Sequence, residues 1–270
     1  MKRFLSVLIC CASLIGCAPA IPADGMDIYT FSIGKADCSL LSFDGKNVLI
    51  DAGEKDDGND IVKALKELRV SQIDLVILTH FDKDHIGGFP AVCEAFPVSG
   101  VLRPDYVRDS DAYAAMEAAI EKHAIPVQAI QADSSLTLGS ASFTLWPSTQ
   151  AYDSEEGNDN EMTLVASIAY GQTKLLFMGD ANERWLSDLC YGGYALDCDI
   201  LKFPYHGKWQ KNVPVLLALS LPKYAIITDS EKNPAALKTL DALKGLDIPA
   251  LRTIDGDIHL FTDGKKVTVR

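Results

Sequence analysis

The chain reads as an α/β fold, and three features of its 270 residues say so. Apolar runs of strand length recur throughout, segments of helical periodicity separate them, and the His and Asp residues best suited to metal chemistry fall just beyond predicted strands. Rigid strand ends can aim such side chains into one cleft.

In chain order, residues 26–33, 38–43 and 47–50 are alternating or continuously apolar and predict the first strands. Helical periodicity follows over 60–68, and the apolar run 75–78 predicts a further strand. A helix is expected over 111–124 and strands over 142–146, 163–169 and 174–177. The remainder alternates: a helix over 183–189, strands over 200–203 and 224–228, a helix over 234–243, and strands over 258–261 and 266–269. That length suffices for a single two-layered core without a second domain.

The most informative segment is Thr79-His80-Phe81-Asp82-Lys83-Asp84-His85-Ile86-Gly87-Gly88. It sets two histidines and two carboxylates in six residues, and Asp82 and Asp84 repel each other unless a cation neutralises them. Imidazole nitrogen mixed with carboxylate oxygen suits zinc, manganese or iron, and suits a catalytic site better than the thiolate sets of structural zinc. The Gly87-Gly88 pair permits close backbone approach. The plainer reading is a solvated acidic turn. Lys83 can balance Asp82 and Asp84 from the loop surface.

These residues resemble the signature of the metallo-β-lactamase superfamily, and further landmarks follow in its order. Asp51 closes the strand run 47–53 at the position of a buttressing aspartate. Asp180 closes 175–180 at the position of a bridging carboxylate, and His206 lies in Leu201-Lys202-Phe203-Pro204-Tyr205-His206-Gly207-Lys208. This last motif, with Ser32-Ile33-Gly34-Lys35-Ala36-Asp37 and residues 158–165, is similar to the branch that includes the hydrolase domain of the DNA-uptake protein ComEC. The resemblance spans about residues 26–270. It implies an αββα sandwich of two face-to-face mixed sheets and two divalent metal ions, zinc or manganese. One ion would sit on His80, Asp82 and Asp180, and the other on Asp84, His85, Asp180 and His206. Asp84, Asp180 and His206 are the expected catalytic residues. Asp37, Asp51, Asn160, Tyr205 and Lys208 are expected to support the site or touch substrate.

Departures from the family pattern bear on the chemistry. Asp82 stands where many members have a second histidine, and no histidine other than His123 lies between Gly88 and Asp180, so Asn160 or Asp159 is the candidate in its place. Oxygen ligands harden that site toward manganese and leave one metal labile. Tyr205 replaces the first member of a His-His pair, and Lys208 replaces a serine. His123 and His259 are read as ordinary surface or packing histidines.

The N-terminus carries Lys2 and Arg3, an apolar run over 4–15, and then Gly16-Cys17. This is the make-up of an export signal, too short to span a bilayer comfortably. Its end resembles a bacterial lipobox, which implies cleavage after Gly16 and lipid on Cys17; the alternative is ordinary cleavage after Ala18 or Ala20. The expected organisation is a lipoprotein signal (1–16), a tether (17–25) and one hydrolase domain (26–270), anchored at the outer face of a bacterial membrane. Export permits disulfides. Of Cys38, Cys93, Cys190 and Cys198, the preferred pair is Cys190 with Cys198 across the Gly192-Gly193 turn, against buried thiols throughout.

A formal charge of −12 argues against a broad basic footprint on nucleic acid. It is compatible with a phosphodiester substrate if metals and local lysines, Lys35, Lys202 and Lys208 among them, offset substrate charge in the cleft. Trp209 is a candidate stacking surface. The leading expectation is therefore a phosphodiesterase or nuclease outside the cytoplasm. The alternatives are an envelope or phosphocholine ester hydrolase and, from another class, a catalytically lapsed binding or scaffold lipoprotein. No Gly-rich phosphate loop or nucleophile elbow offers a further route.

Overall fold

Alternating burial along β1 (Met26–Thr30) turns Met26, Ile28 and Thr30 inward. β2 (Ser39–Phe43) and β3 (Lys46–Ile50) continue from it as an antiparallel meander. The computed structural model describes residues 25–148 and 159–270. The predicted signal, the Cys17 anchor and the tether up to residue 24 lie outside the described residues.

Beyond β3 the connections become helical and the strands parallel. α1 (Gly58–Glu67) leads to β4 (Leu75–Ile77). The short helices α2 (Lys83–Ile86) and α3 (Phe89–Ala95) lead to β5 (Val101–Pro104), and α4 (Asp111–Lys122) leads to β6 (Val127–Ile130). β4 is buried at every position, as expected of a parallel strand covered on both faces.

A second sheet opens with an antiparallel run, β7 (Ser134–Leu138), β8 (Ala141–Trp146), β9 (Val165–Tyr170) and β10 (Thr173–Phe177). It ends in parallel strands separated by helices: α5 (Glu183–Tyr191), β11 (Ile200–Lys202), α6 (Val213–Ser220), β12 (Tyr224–Ile227), α7 (Leu237–Gly245) and β13 (Ala250–Arg252). β14 (Ile258–Thr262) and β15 (Val267–Val269) then return to the first sheet, where β14 pairs with β1. The spatial orders are β15-β14-β1-β2-β3-β4-β5-β6 and β13-β12-β11-β10-β9-β8-β7.

Three apolar clusters fill the layers. One lies between the sheets, with Ile28, Val48 and Ile77 against Phe143, Ile168 and Phe177. A second packs α1, α3 and α4 onto the first sheet, and a third packs α5 and α6 onto the other. The result is the αββα sandwich that the resemblance implies.

Cys190 and Cys198 both lie buried in the third cluster as free thiols, so the expected disulfide is not made. Burial pushes the Cys190 thiol up to about 11 and Cys198 higher still, as it does Cys93, to about 12. They act as small apolar side chains.

Candidate metal centre

Both sheets point the same strand ends at one spot. From the first sheet, β4 runs into Thr79 and His80, and α2 presents Asp84 and His85; the expected loop is here a single helical turn with Asp82 at its N-cap. The motif glycines let this turn lie against the chain that leaves β3. A Cβ on Gly88 would come within 2.2 Å of the Ala52 carbonyl oxygen. The Ala52 amide donates to the His85 carbonyl at 2.7 Å and the Gly88 amide to that of Gly53 at 3.1 Å.

From the second sheet, β10 leads through Met178 into Gly179 and Asp180, and β11 runs into a tight turn over Pro204–Gly207 that carries His206. Tyr205 and His206 both hold left-handed backbone, φ 52° each, as does Asp51 at φ 58°. Non-glycine residues pay for that conformation, and such strain concentrates where a side chain must be re-aimed. Here the Tyr205 amide bonds the Gly179 carbonyl at 3.0 Å and fixes His206 beside Asp180.

The structure brings together His80, Asp84, His85, Asp180 and His206, all buried. His85 Nε2 lies 3.5 Å from Asp180 Oδ1, and His206 Nε2 lies 3.1 Å from Asp180 Oδ2 and 3.4 Å from Asp84 Oδ2. The sets His80–His85–Asp180 and Asp84–His85–His206 each converge closely enough to share an ion. The Nε2 atoms of His80, His85 and His206 and Oδ1 of Asp180 are buried without hydrogen-bond partners. Buried polar atoms are costly unless satisfied. Ligands 2.0–2.1 Å from a tetrahedral cation stand about 3.3 Å apart, so this donor set fits a divalent metal.

Asp51 and Asp37 lie behind the rings. Thr79 donates its amide and its hydroxyl to Asp51, each at 2.8 Å, and His85 Nδ1 meets the same carboxylate at 2.8 Å. A carboxylate only accepts, so His85 Nδ1 carries the proton. The Thr79 hydroxyl, its own proton committed to Asp51, accepts from His80 Nδ1 at 3.0 Å. Both rings therefore present Nε2 to the cluster. Asp37 stands similarly behind His206 and is joined there by the buried Lys202 ammonium at 2.6 Å.

Charge follows from this packing. Burial works against a charged His206, but Asp180 outweighs it and pushes the ring up to about 10; Asp180 and Asp51 raise His85 well above its ordinary value in the same way. Burial, helped by His85, pushes His80 down to about 4. Asp84 and Asp180 also feel burial, yet the neighbouring imidazoles hold both well below the usual carboxylate range.

Other expected site residues stand further out. Asp82 is at the rim, its side chain 34% exposed, with Oδ2 3.8 Å from His80 Nε2 and Oδ1 3.8 Å from Arg108. Asn160 is buried in the turn Asp159–Met162, and the Leu164 amide that follows donates to the Thr79 carbonyl at 2.7 Å. Lys208 lies over the Tyr205 ring at 3.7 Å, and Lys238 over Trp209 at 4.2 Å. Lys83 does not balance the motif aspartates: it reaches Glu54 at 3.6 Å, while Lys35 bonds Asp84. Sequence reasoning did not single out Thr79, Thr228 or Arg108 as site residues. His123 bonds Glu94 and His259 bonds Asp27, both apart from the cluster.

An αββα sandwich with a buried His and Asp cluster where the strand ends of its two sheets meet has the construction of a metal-dependent hydrolase. The chain belongs to the metallo-beta-lactamase superfamily, whose description matches residues 33–228. It is 29% identical over 91 residues to ribonuclease Z of Clostridium kluyveri, covering 34% of this chain and 26% of that protein. It is 23% identical over 214 residues to Recombination protein 2 of Haemophilus influenzae, covering 77% of this chain and 24% of that protein. The chain thus spans about a quarter of the length of these curated relatives. Among solved structures, the metallo-beta-lactamase fold protein YhfI of Bacillus subtilis shares the fold, with a TM-score of 0.60 at 14% identity over 88% of this chain and 100% of that one.

Proposed function

We propose that the chain is a metal-dependent phosphodiesterase that acts on nucleic acid outside the cytoplasm, held to a membrane by lipid on Cys17. The observation that carries the metal chemistry is the convergence of three histidine Nε2 atoms and Asp180 Oδ1, all buried and without hydrogen-bond partners. Asp84, His85, Asp180 and His206 would hold one cation. His80, Asp180 and Asp82 would hold another, with Asp82 swinging in from Arg108. A divalent cation bound by these residues would supply Lewis acidity and lower the pKa of a bound water. Asp180 faces both histidine groups and would offer an oxygen to each cation, while Asp51 and Thr79 hold His80 and His85 with Nε2 toward the cluster.

The substrate reading rests on ribonuclease Z, a nuclease by name, and on Recombination protein 2, whose name points to DNA. It also rests on the cations Lys35 and Arg108, which contact Asp84 and Asp82 beside the cluster and suit an anionic substrate. The membrane reading rests on Lys2, Arg3, the apolar run over 4–15 and the Gly16-Cys17 junction.

Elemental analysis of the purified protein, followed by turnover of bis(p-nitrophenyl) phosphate and a single-stranded oligonucleotide, tests the reading. Two metal equivalents are expected. Asp84→Ala and His206→Ala should each lower kcat by at least about a thousandfold with the fold retained. Turnover that survives both substitutions, or no metal retained after reconstitution with zinc and manganese, sinks the proposal.

A further inference from the structure

Lys202 closes β11 with its side chain 2% exposed, between the two sheets and next to the metal centre. Its ammonium lies 2.6 Å from Oδ2 of Asp37, a residue of the first half that is itself buried, and it also donates to the Phe203 carbonyl at 3.3 Å. The backbone of Asp37 is locked in place, its amide donating to the Asp84 carbonyl at 3.0 Å and its carbonyl accepting from Gly53 at 2.9 Å. The other oxygen, Oδ1, accepts from the Thr228 hydroxyl at the end of β12. His206 Nδ1 stands 3.1 Å from that hydroxyl.

Proton directions along this chain are forced. Lys202 only donates and the Asp37 carboxylate only accepts, so the single hydroxyl proton of Thr228 points at Asp37. The hydroxyl oxygen must then accept from Nδ1–H of His206, which leaves Nε2, facing Asp84 and Asp180, as the nitrogen free to ligate once the ring is neutral. The arrangement repeats Asp51–Thr79–His80 of the first half, with one addition: only Asp37 has a buried lysine on it. A buried ion pair is poor value for stability, since well-packed apolar residues of the same volume commonly do as well or better. Its placement therefore calls for another account.

We propose that Lys202 is a positioning residue for the metal centre, anchoring Asp37 across the two sheets so that Asp37 and Thr228 hold His206 in its metal-ligating orientation and tautomer. The proposal rests on the metal-centre reading above. Removing partners behind a ligating histidine typically weakens metal binding about 10- to 100-fold.

The test uses Lys202→Met, which keeps length without charge, Lys202→Arg, and Thr228→Val, which leaves the ion pair intact. Zinc affinity is measured by titration calorimetry, and the His206 tautomer by ring-nitrogen NMR of the zinc-loaded protein. Lys202→Met and Thr228→Val should each weaken zinc binding about 10- to 100-fold and mix the His206 tautomers, and Lys202→Arg should restore much of the affinity. Because both act through one chain, the double variant Lys202→Met/Thr228→Val should lose little more than the worse single one. Unchanged affinity and tautomer in the single variants, or strictly additive losses, overturn the proposal. Should Lys202→Met not fold, Thr228→Val carries the test alone, and in that variant an unchanged tautomer overturns it. Wild-type protein that binds no zinc defeats the metal-centre reading itself, a different result from variants that bind as well as wild type.

Discussion

Saturating the centre with zinc at pH 6.5 should release close to two protons from the protein. Asp180 holds His206 up at about 10 against the effect of burial, and with Asp51 it raises His85 well above the ordinary imidazole value, so both rings are charged at that pH. His80, pushed down to about 4, is already neutral, and Asp84 and Asp180 are ionised. An imidazole ligates only as the neutral base, so each charged ring gives up one proton. Zinc affinity should then rise about tenfold per proton, roughly a hundredfold, for each pH unit near 6.5. Without metal the sign reverses. A raised folded-state value makes His206 stabilising below its unfolded value near 6.5, and that contribution is lost as pH climbs toward 10. Calorimetric titrations in buffers of differing ionisation enthalpy measure the protons directly, as the slope of observed heat against buffer heat. A slope near zero would refute the assignment of His85 and His206 as the charged, ligating rings.

Three further outcomes are expected. Asp82→His should raise zinc affinity at the rim position and shift preference away from manganese, read by competitive metal binding; an unchanged preference counts against Asp82 as a ligand. Gly88→Ala drives a Cβ into the Ala52 carbonyl and should cost several kcal/mol or prevent folding, seen in urea unfolding, whereas the exposed Gly245, with open space around it, should accept alanine with little loss. Phe177→Ala empties the layer between the sheets and should cost about 3–5 kcal/mol in the same assay.

The strands that carry the site were legible because each holds a run of adjacent apolar residues: β3, β4, β10 and β11 all announce themselves, and each leads into a residue of the site. β7 escaped because Ser135 and Thr137 are exposed and its other residues only half-buried at the sheet edge, and α6 because Val213–Ser220 is apolar nearly all round and has no polar face to set a helical period. In the site, His80, Asp84, His85, Asp180 and His206 could be read from motif order. Thr79 and Thr228 could not be assigned a task, since a threonine after an apolar run is an ordinary strand ending until the carboxylate and ring on either side of it are located. Lys83 misled for the converse reason. It is next to the aspartates in sequence, yet the helical turn points it at Glu54, and the cation that meets Asp84 comes from Lys35, 49 residues away.

The pairing of β1 with β14 joins residues as far apart as Met26 and Thr262, the Asp27–His259 side-chain bond beside it spans 232 positions, and the loop leaving β1 is pinned to the same distant region by Ser32 on Asp257 and Thr253. That loop delivers Lys35 and Asp37. A ribosome has therefore made nearly all of these residues before the segment behind His206 can settle, and contacts of such long range form slowly. For a nuclease of the kind proposed, a nascent or clipped chain would lack a finished centre, so cutting would begin only once the distant C-terminal strands have joined the first sheet.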